Sequence, residues 1–187
     1  MKTLFTALLA IISLTANAQK WEGIYGADQR FRDLANEYVK NMDIDLDMDV
    51  DFTVDFSMFF LGDEINLIIG VDAQLEKVDA ECSITFMGNY VRQGNHVETT
   101  FSKDRVSVTL DNIESTDPQI SNAINNDEDT VYGIAEGMLD EILQPHIDKI
   151  FKICEFCKSF EVKNETDVSF TAVFENDFEV NFSKPAE

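Results

Sequence analysis

The chain has 187 residues, with 36 Asp plus Glu against 14 Lys plus Arg and a formal net charge of −22. So acidic a surface disfavours DNA, RNA and anionic lipid as partners. A hydrophobic fraction of 44%, with fifteen Phe, argues against an acidic disordered chain and for one folded domain with a substantial core.

Residues 1–18, MKTLFTALLAIISLTANA, read as a secretory signal peptide. Lys2 supplies the positive n-region, Leu4 to Leu14 the apolar core, and Ala16-Asn17-Ala18 the cleavage motif before Gln19. The apolar run is too short for a membrane anchor, and no later stretch is long enough to cross a bilayer. No cysteine follows the apolar core, so a lipoprotein anchor is not indicated. The expectation is an exported protein, periplasmic or extracellular, with a single α+β domain over 19–187.

A helix is expected over about 28–41, where Phe31, Leu34, Ala35, Tyr38 and Val39 recur at helical spacing behind an Asp28 N-cap. Residues 42–58, MDIDLDMDVDFTVDFSM, then alternate without a break. Met42, Ile44, Leu46, Met48, Val50, Phe52, Val54, Phe56 and Met58 fall on one face. Asp43, Asp45, Asp47, Asp49, Asp51, Thr53, Asp55 and Ser57 fall on the other. Period-2 alternation means a β-strand with one apolar and one acidic side.

Neighbouring carboxylates on that side sit roughly 6.8 Å apart and repel by about 0.6 kcal/mol per pair in water. Burial of the apolar side contributes roughly 10–20 kcal/mol, so the strand is stable while its acidic side stays wet. At about 3.3 Å per residue it would span roughly 55 Å, well beyond an ordinary strand, and must coil or bend.

The chain turns at Leu61-Gly62-Asp63-Glu64, and alternation resumes over about 65–78, with Gly70 as a candidate bulge. Further strands are expected near 81–91, 96–102 and 105–113. The stretch 115–129 reads as polar loop. Helical pattern returns from about 130 and meets Pro145, which should break or kink it. A second helix over about 145–158 carries Ile147, Ile150, Phe151, Cys154 and Cys157 on one face. Gly133 and Gly137, four apart, suggest close backbone approach to the sheet. Strands near 159–163, 167–174 and 178–183 end the chain.

The fold class that follows is α+β. A strongly curved antiparallel sheet of about eight strands, half-barrel or barrel-like, packs against a kinked helical pair inserted between strands 5 and 6. A helix stands at the N-terminal end.

Candidate chemistry is thin. Read as EF-hand loops starting at Asp43 or Asp45, the ladder puts Met48 or Val50 where glycine is required, and Val54 or Phe56 where glutamate is required. A solvated face that discourages edge aggregation is the better reading, and no metal site is assigned. Cys154-Glu155-Phe156-Cys157 is a CxxC, but the helical pattern precedes it, whereas redox motifs open a helix. A structural disulfide from Cys82 to Cys154 or Cys157 is the preferred reading. His96 and His146 sit in no ligand or catalytic pattern, and no nucleophile elbow, phosphate loop or dinucleotide fingerprint occurs. Neither a catalytic residue nor a cofactor is expected.

The Phe-rich interior remains. Phe52, Phe56, Phe86, Phe101, Phe170, Phe174, Phe178 and Phe182, with Val54 and Ile84, would line a concave apolar face, as a ligand pocket or as packed core. A small exported protein with a curved sheet, an apolar interior and one or two helices resembles lipocalin-type or half-barrel lipid carriers. That resemblance implies a non-enzymatic binding protein for a lipid or other hydrophobic molecule. Trp21-Glu22-Gly23 reverses the lipocalin Gly-x-Trp order, so no residue roles are carried over. The alternative is a solid-cored interaction module whose acidic surface meets basic partners or cations.

Overall fold

The computed structural model describes residues 21–40, 51–74 and 77–186. The leader over 1–18 and the ladder residues 42–50 lie outside the described residues, as does the Phe52 side chain.

Eight antiparallel strands ring the core, each hydrogen-bonded to the next and the last back to the first. They are β1 (Gly23–Ala27), β2 (Asp51–Leu61), β3 (Glu64–Gln74), β4 (Val78–Gln93), β5 (His96–Ser115), β6 (Ser159–Lys163), β7 (Ser169–Val173) and β8 (Glu179–Ser183). Helix α1 (Gln29–Lys40) joins β1 to β2. Helices α2 (Pro118–Asn126), α3 (Glu128–Leu143), α4 (Ile147–Ile150) and α5 (Lys152–Phe156) lie between β5 and β6.

Over its described part the ladder strand is two-sided. Val54, Phe56, Met58 and Phe60 are buried, while Thr53 and Asp55 are exposed. Several local expectations need correction. The strands expected at 96–102 and 105–113 are one continuous strand, β5, because Lys103 and Asp104 pass through without a turn. The unforeseen β1 restores the count to eight. Gly70 is no bulge: β3 pairs regularly on both sides through Asp55↔Gly70 and Gly70↔Ser83. Its missing side chain leaves room for the Asp55 carboxylate, whose Oδ1 would lie 2.5 Å from an added Cβ.

The real irregularities fall between β4 and β5, at Glu81/Cys82 and Phe86/Gly88. Each extra residue bends the strand, which lets a 16-residue and a 20-residue strand wrap the core. Gly88 is required there, since a Cβ would collide with the Thr100 carbonyl oxygen.

The stretch expected as loop over 115–129 contains α2. Asp117 caps it, its carboxylate accepting from Gln119 N, and Pro118 occupies the first turn. Helix α3 stops at Leu143, and Pro145 sits in a single 3-10 turn over Gln144–His146. Beyond it the expected second helix is two short pieces, α4 and α5.

The strands pair unevenly, and this gives the ring two different ends. β1 meets β2 only from Gly23↔Phe60 to Gly26↔Ser57, and β6 meets β5 only over His96, Val97 and Glu98. Among the described residues, the other halves of β2 and β5 carry no strand on those sides. Helix α1 covers β2, and α2 and α3 cover β5. Asn36 of α1 imitates a neighbouring strand: its Nδ2 donates to Val54 O at 3.0 Å and its Oδ1 accepts from Val54 N at 2.7 Å. On the opposite edge the Glu136 carboxylate accepts from Leu110 N at 3.3 Å. Both devices satisfy edge groups that would otherwise template aggregation.

The other end is sealed. Trp21 stacks on Phe170 with centroids 4.4 Å apart, and the Arg92 guanidinium lies 4.7 Å over the Trp21 ring. Arg92 donates to both Glu165 oxygens at 2.6 Å, and Trp21 Nε1 donates to Glu165 Oε1 at 2.8 Å. Hydrogen bonding from Arg92 holds the Glu165 carboxyl below the usual glutamate range. Between the ends, Tyr25, Met58, Phe60, Phe86, Phe170 and Phe182 are fully buried. The interior is filled by side chains.

Candidate functional site: an apolar groove at the mouth

The open end is framed by α1, by α5 and by the β7–β8 turn. Asp28 starts α1, its Oδ1 accepting from Phe31 N at 3.0 Å. Its Oδ2 accepts from Asn181 N and Asn181 Nδ2, each at 3.0 Å, and so ties the helix to β8. Burial pushes the Asp28 carboxyl up, but these hydrogen bonds, with Arg30 nearby, outweigh it and hold the group below its ordinary value. Helical spacing then sets Phe31, Leu34 and Ala35 along one side of α1, facing the mouth.

The groove enclosed there has a volume of about 830 Å³. Phe56 of β2 is its floor, meeting Phe31 edge-on with centroids 5.0 Å apart. Ile153 and Phe156 of α5 and Phe178 after the β7–β8 turn complete the apolar wall. Phe156 leans on Phe174 at 4.8 Å and on Phe178 at 5.8 Å. It nevertheless stays 38% exposed, and Leu34 across from it 43%. Arg30, Lys152, Glu175, Asp177 and Glu179 stand at the rim. The arrangement suits an apolar molecule with a polar end. Among the described residues it holds no nucleophile–base pair.

Of the residues expected to line a ligand face, Val54, Phe56, Ile84, Phe86, Phe170 and Phe174 all belong to the buried core. Phe101 packs half-buried against them. Phe182 is buried with the core, and of the expected residues Phe56 and Phe178 reach the groove. The groove's other apolar residues stand on helices. The helical spacing of Phe31, Leu34 and Ala35 is visible in the sequence, but no local signal says that their side forms a mouth.

The thiols differ from expectation. Cys82, Cys154 and Cys157 are all free and buried. Cys154 and Cys157 belong to the main core cluster, while Cys82 stands outside it on β4 opposite Leu110, so the expected bridge is not formed. Burial pushes Cys82 up to about 11 and Cys157 up to about 12, and pushes Cys154 up as well with help from Cys157. Thiols so hard to ionise are poor nucleophiles.

His96 is a surface residue whose Nδ1 lies 2.7 Å from Glu161 Oε1, and this hydrogen bond raises its pKa. The Nδ1 of His146 is buried without a hydrogen-bond partner among the described residues. On the outer face, Asp55, Asp72, Asp79, Glu81 and Glu114 lie across paired strands. Among the described residues no group of three or more His, Cys, Asp or Glu is placed to hold a metal ion.

A second cleft of about 780 Å³ lies on the far side of α1, between Arg32, Asp33, Asn36 and Glu37 and the outer face of β2. Its lining is polar, and Asn36 is already committed to Val54. No helix of the described residues is long and apolar enough to cross a membrane. Comparison with protein-family models, with curated proteins and with solved structures finds no match.

Proposed function

We propose that this chain is an exported, non-enzymatic binding protein that holds a lipid or other hydrophobic molecule in the groove at the mouth of the ring. The observation that carries the reading is the contrast within one molecule. The interior is filled by packed side chains, yet Leu34 and Phe156 stay open to solvent around a groove of about 830 Å³. That volume lies inside the roughly 300–1,000 Å³ of small-molecule sites. The site is therefore assigned to the mouth, outside the packed core, on α1, α5 and the β7–β8 turn. The short signal-like N-terminus supports export.

Native mass spectrometry of protein purified from its host tests the reading. A retained small-molecule mass is expected, and it should vanish in Phe178→Asp, which puts a charge on the groove wall. Protein that is ligand-free, and that binds no apolar probe on titration, would overturn it. That outcome would leave the second reading, a solid-cored module whose acidic outer face meets basic partners or cations. The filled interior and the exposed acidic pairs Asp72↔Glu81 and Asp79↔Glu114 across the strands favour that alternative.

A further inference from the structure

Acidic groups need no local explanation in a chain with 36 Asp plus Glu, but its 14 Lys plus Arg do. Most are scattered, and several are committed to carboxylates: Lys77 to Asp117, Arg92 to Glu165, Lys103 to Asp148, and Lys163 to Glu179. Arg30 and Lys152 are different. Both line the apolar groove, one from each flanking helix, and neither makes an ion pair among the described residues. Arg30 instead lies 5.9 Å over the face of Phe178, at the apolar wall itself.

Of the four carboxylates nearby, two are occupied. Asp28 spends both oxygens on Phe31 N and Asn181, and Glu179 is held by Lys163 at 3.0 Å. Glu175 and Asp177 remain on the turn, and they would favour a cation. Two uncommitted cations beside exposed phenylalanines, in a protein otherwise short of positive charge, are complementary to the opposite sign.

We infer that the groove takes an anionic amphiphile, its head held by Arg30 and Lys152 and its apolar body on Phe31, Phe156 and Phe178. The inference rests on the groove reading above and adds the ligand's charge. An arginine fork and a lysine suit a carboxylate head, and the size of the groove limits the body to one chain or ring system.

The test uses the full protein and probes of equal chain length: dodecanoate, dodecanol and dodecyltrimethylammonium, titrated by calorimetry. Groove binding is the part lost in Phe178→Asp, which separates it from diffuse adsorption of the cation to an acidic surface. Dodecanoate should bind about three- to tenfold more tightly than dodecanol, the scale of two partly exposed charge contacts. The double variant Arg30→Gln with Lys152→Gln should erase that preference, bringing dodecanoate down to the affinity of dodecanol, with an unchanged urea midpoint showing that the variant is folded. Equal affinity for the acid and the alcohol, or a groove preference for the ammonium probe, overturns the inference while the groove stands. If no probe binds the groove, the groove reading falls and takes the inference with it.

Discussion

At the sealed end Trp21 lies buried beneath Arg92 and against Phe170, and the polar groups of Trp21, Arg92 and Glu165 are matched to one another. At the mouth Phe156 and Phe178 also touch edge-on, but Phe156 stays in contact with water and Arg30 and Lys152 make no close ion pair among the described residues. The same residue types serve opposite purposes at the two ends. Aromatic burial with matched polar groups stabilises one end, and incomplete burial at the other is what the proposed ligand site rests on. Ligand sites are drawn from the less stable parts of a fold for this reason.

The largest expected effect separates the ends directly. Phe170 touches Trp21, Tyr25, Phe60, Phe160 and Phe182, so Phe170→Ala leaves a cavity on all sides and should cost about 3–5 kcal/mol. Phe156→Ala removes a ring that is already partly wet, and should cost about 1 kcal/mol or less while weakening apolar-probe binding. Urea denaturation of the two variants gives the comparison. Equal losses would mean that the mouth is as tightly built as the plug.

Electrostatics sharpen the same contrast at a smaller scale. Glu165→Gln leaves the Arg92 guanidinium, whose side chain is only 9% exposed, facing a neutral amide. The expected loss is about 1–3 kcal/mol, below that of a fully buried pair because Glu165 is 22% exposed. The folded pKa of Glu165 lies below its ordinary 4.5, so the ionised carboxylate contributes stability at and above that value. The contribution is lost as pH falls through the folded pKa. The stability gap between the native protein and Glu165→Gln should therefore be full at neutral pH and close on acidification. A gap that holds constant down to about pH 3 would show that the pair does not carry the effect.

Sequence reasoning reaches these ends unequally. Period-2 alternation through Val54, Phe56, Met58 and Phe60 is a local signal, and it alone is enough to pick out the inward face of β2. β1 escapes such reading because Gly23-Ile24-Tyr25-Gly26-Ala27 is short and glycine-rich, and its strand pairing depends on partners at Phe60 and Phe182. Helix α2 is legible in principle, since Asp117-Pro118 is a cap followed by a first-turn proline, but its polar residues mask the signal. The plug joins Trp21, Arg92 and Glu165, which lie up to 144 residues apart. No pattern within a window contains such a site, and the groove is likewise shared between α1, β2, α5 and a turn.

The smallest expected effect is a gain, and it concerns the helices on the mouth side. The pair Gly133 and Gly137 suggests in sequence a close approach of α3 to the sheet. A Cβ built at either position meets nothing within 4 Å, so the sheet does not require these glycines. Beside them Ile134 and Met138 are 61% and 58% exposed, so this side of α3 is loosely built as well. Glycine inside a helix costs roughly 0.5–1 kcal/mol relative to alanine, through the greater freedom of the unfolded chain. Gly133→Ala and Gly137→Ala should each raise stability by about that amount, read as a higher urea midpoint with an unchanged slope. At the sealed end no comparable gain is open, because each large side chain there is already in contact with several others. A loss of stability in either variant would mean that α3 is packed closely in solution, and the contrast between a tight end and a loose end would then stop at the groove.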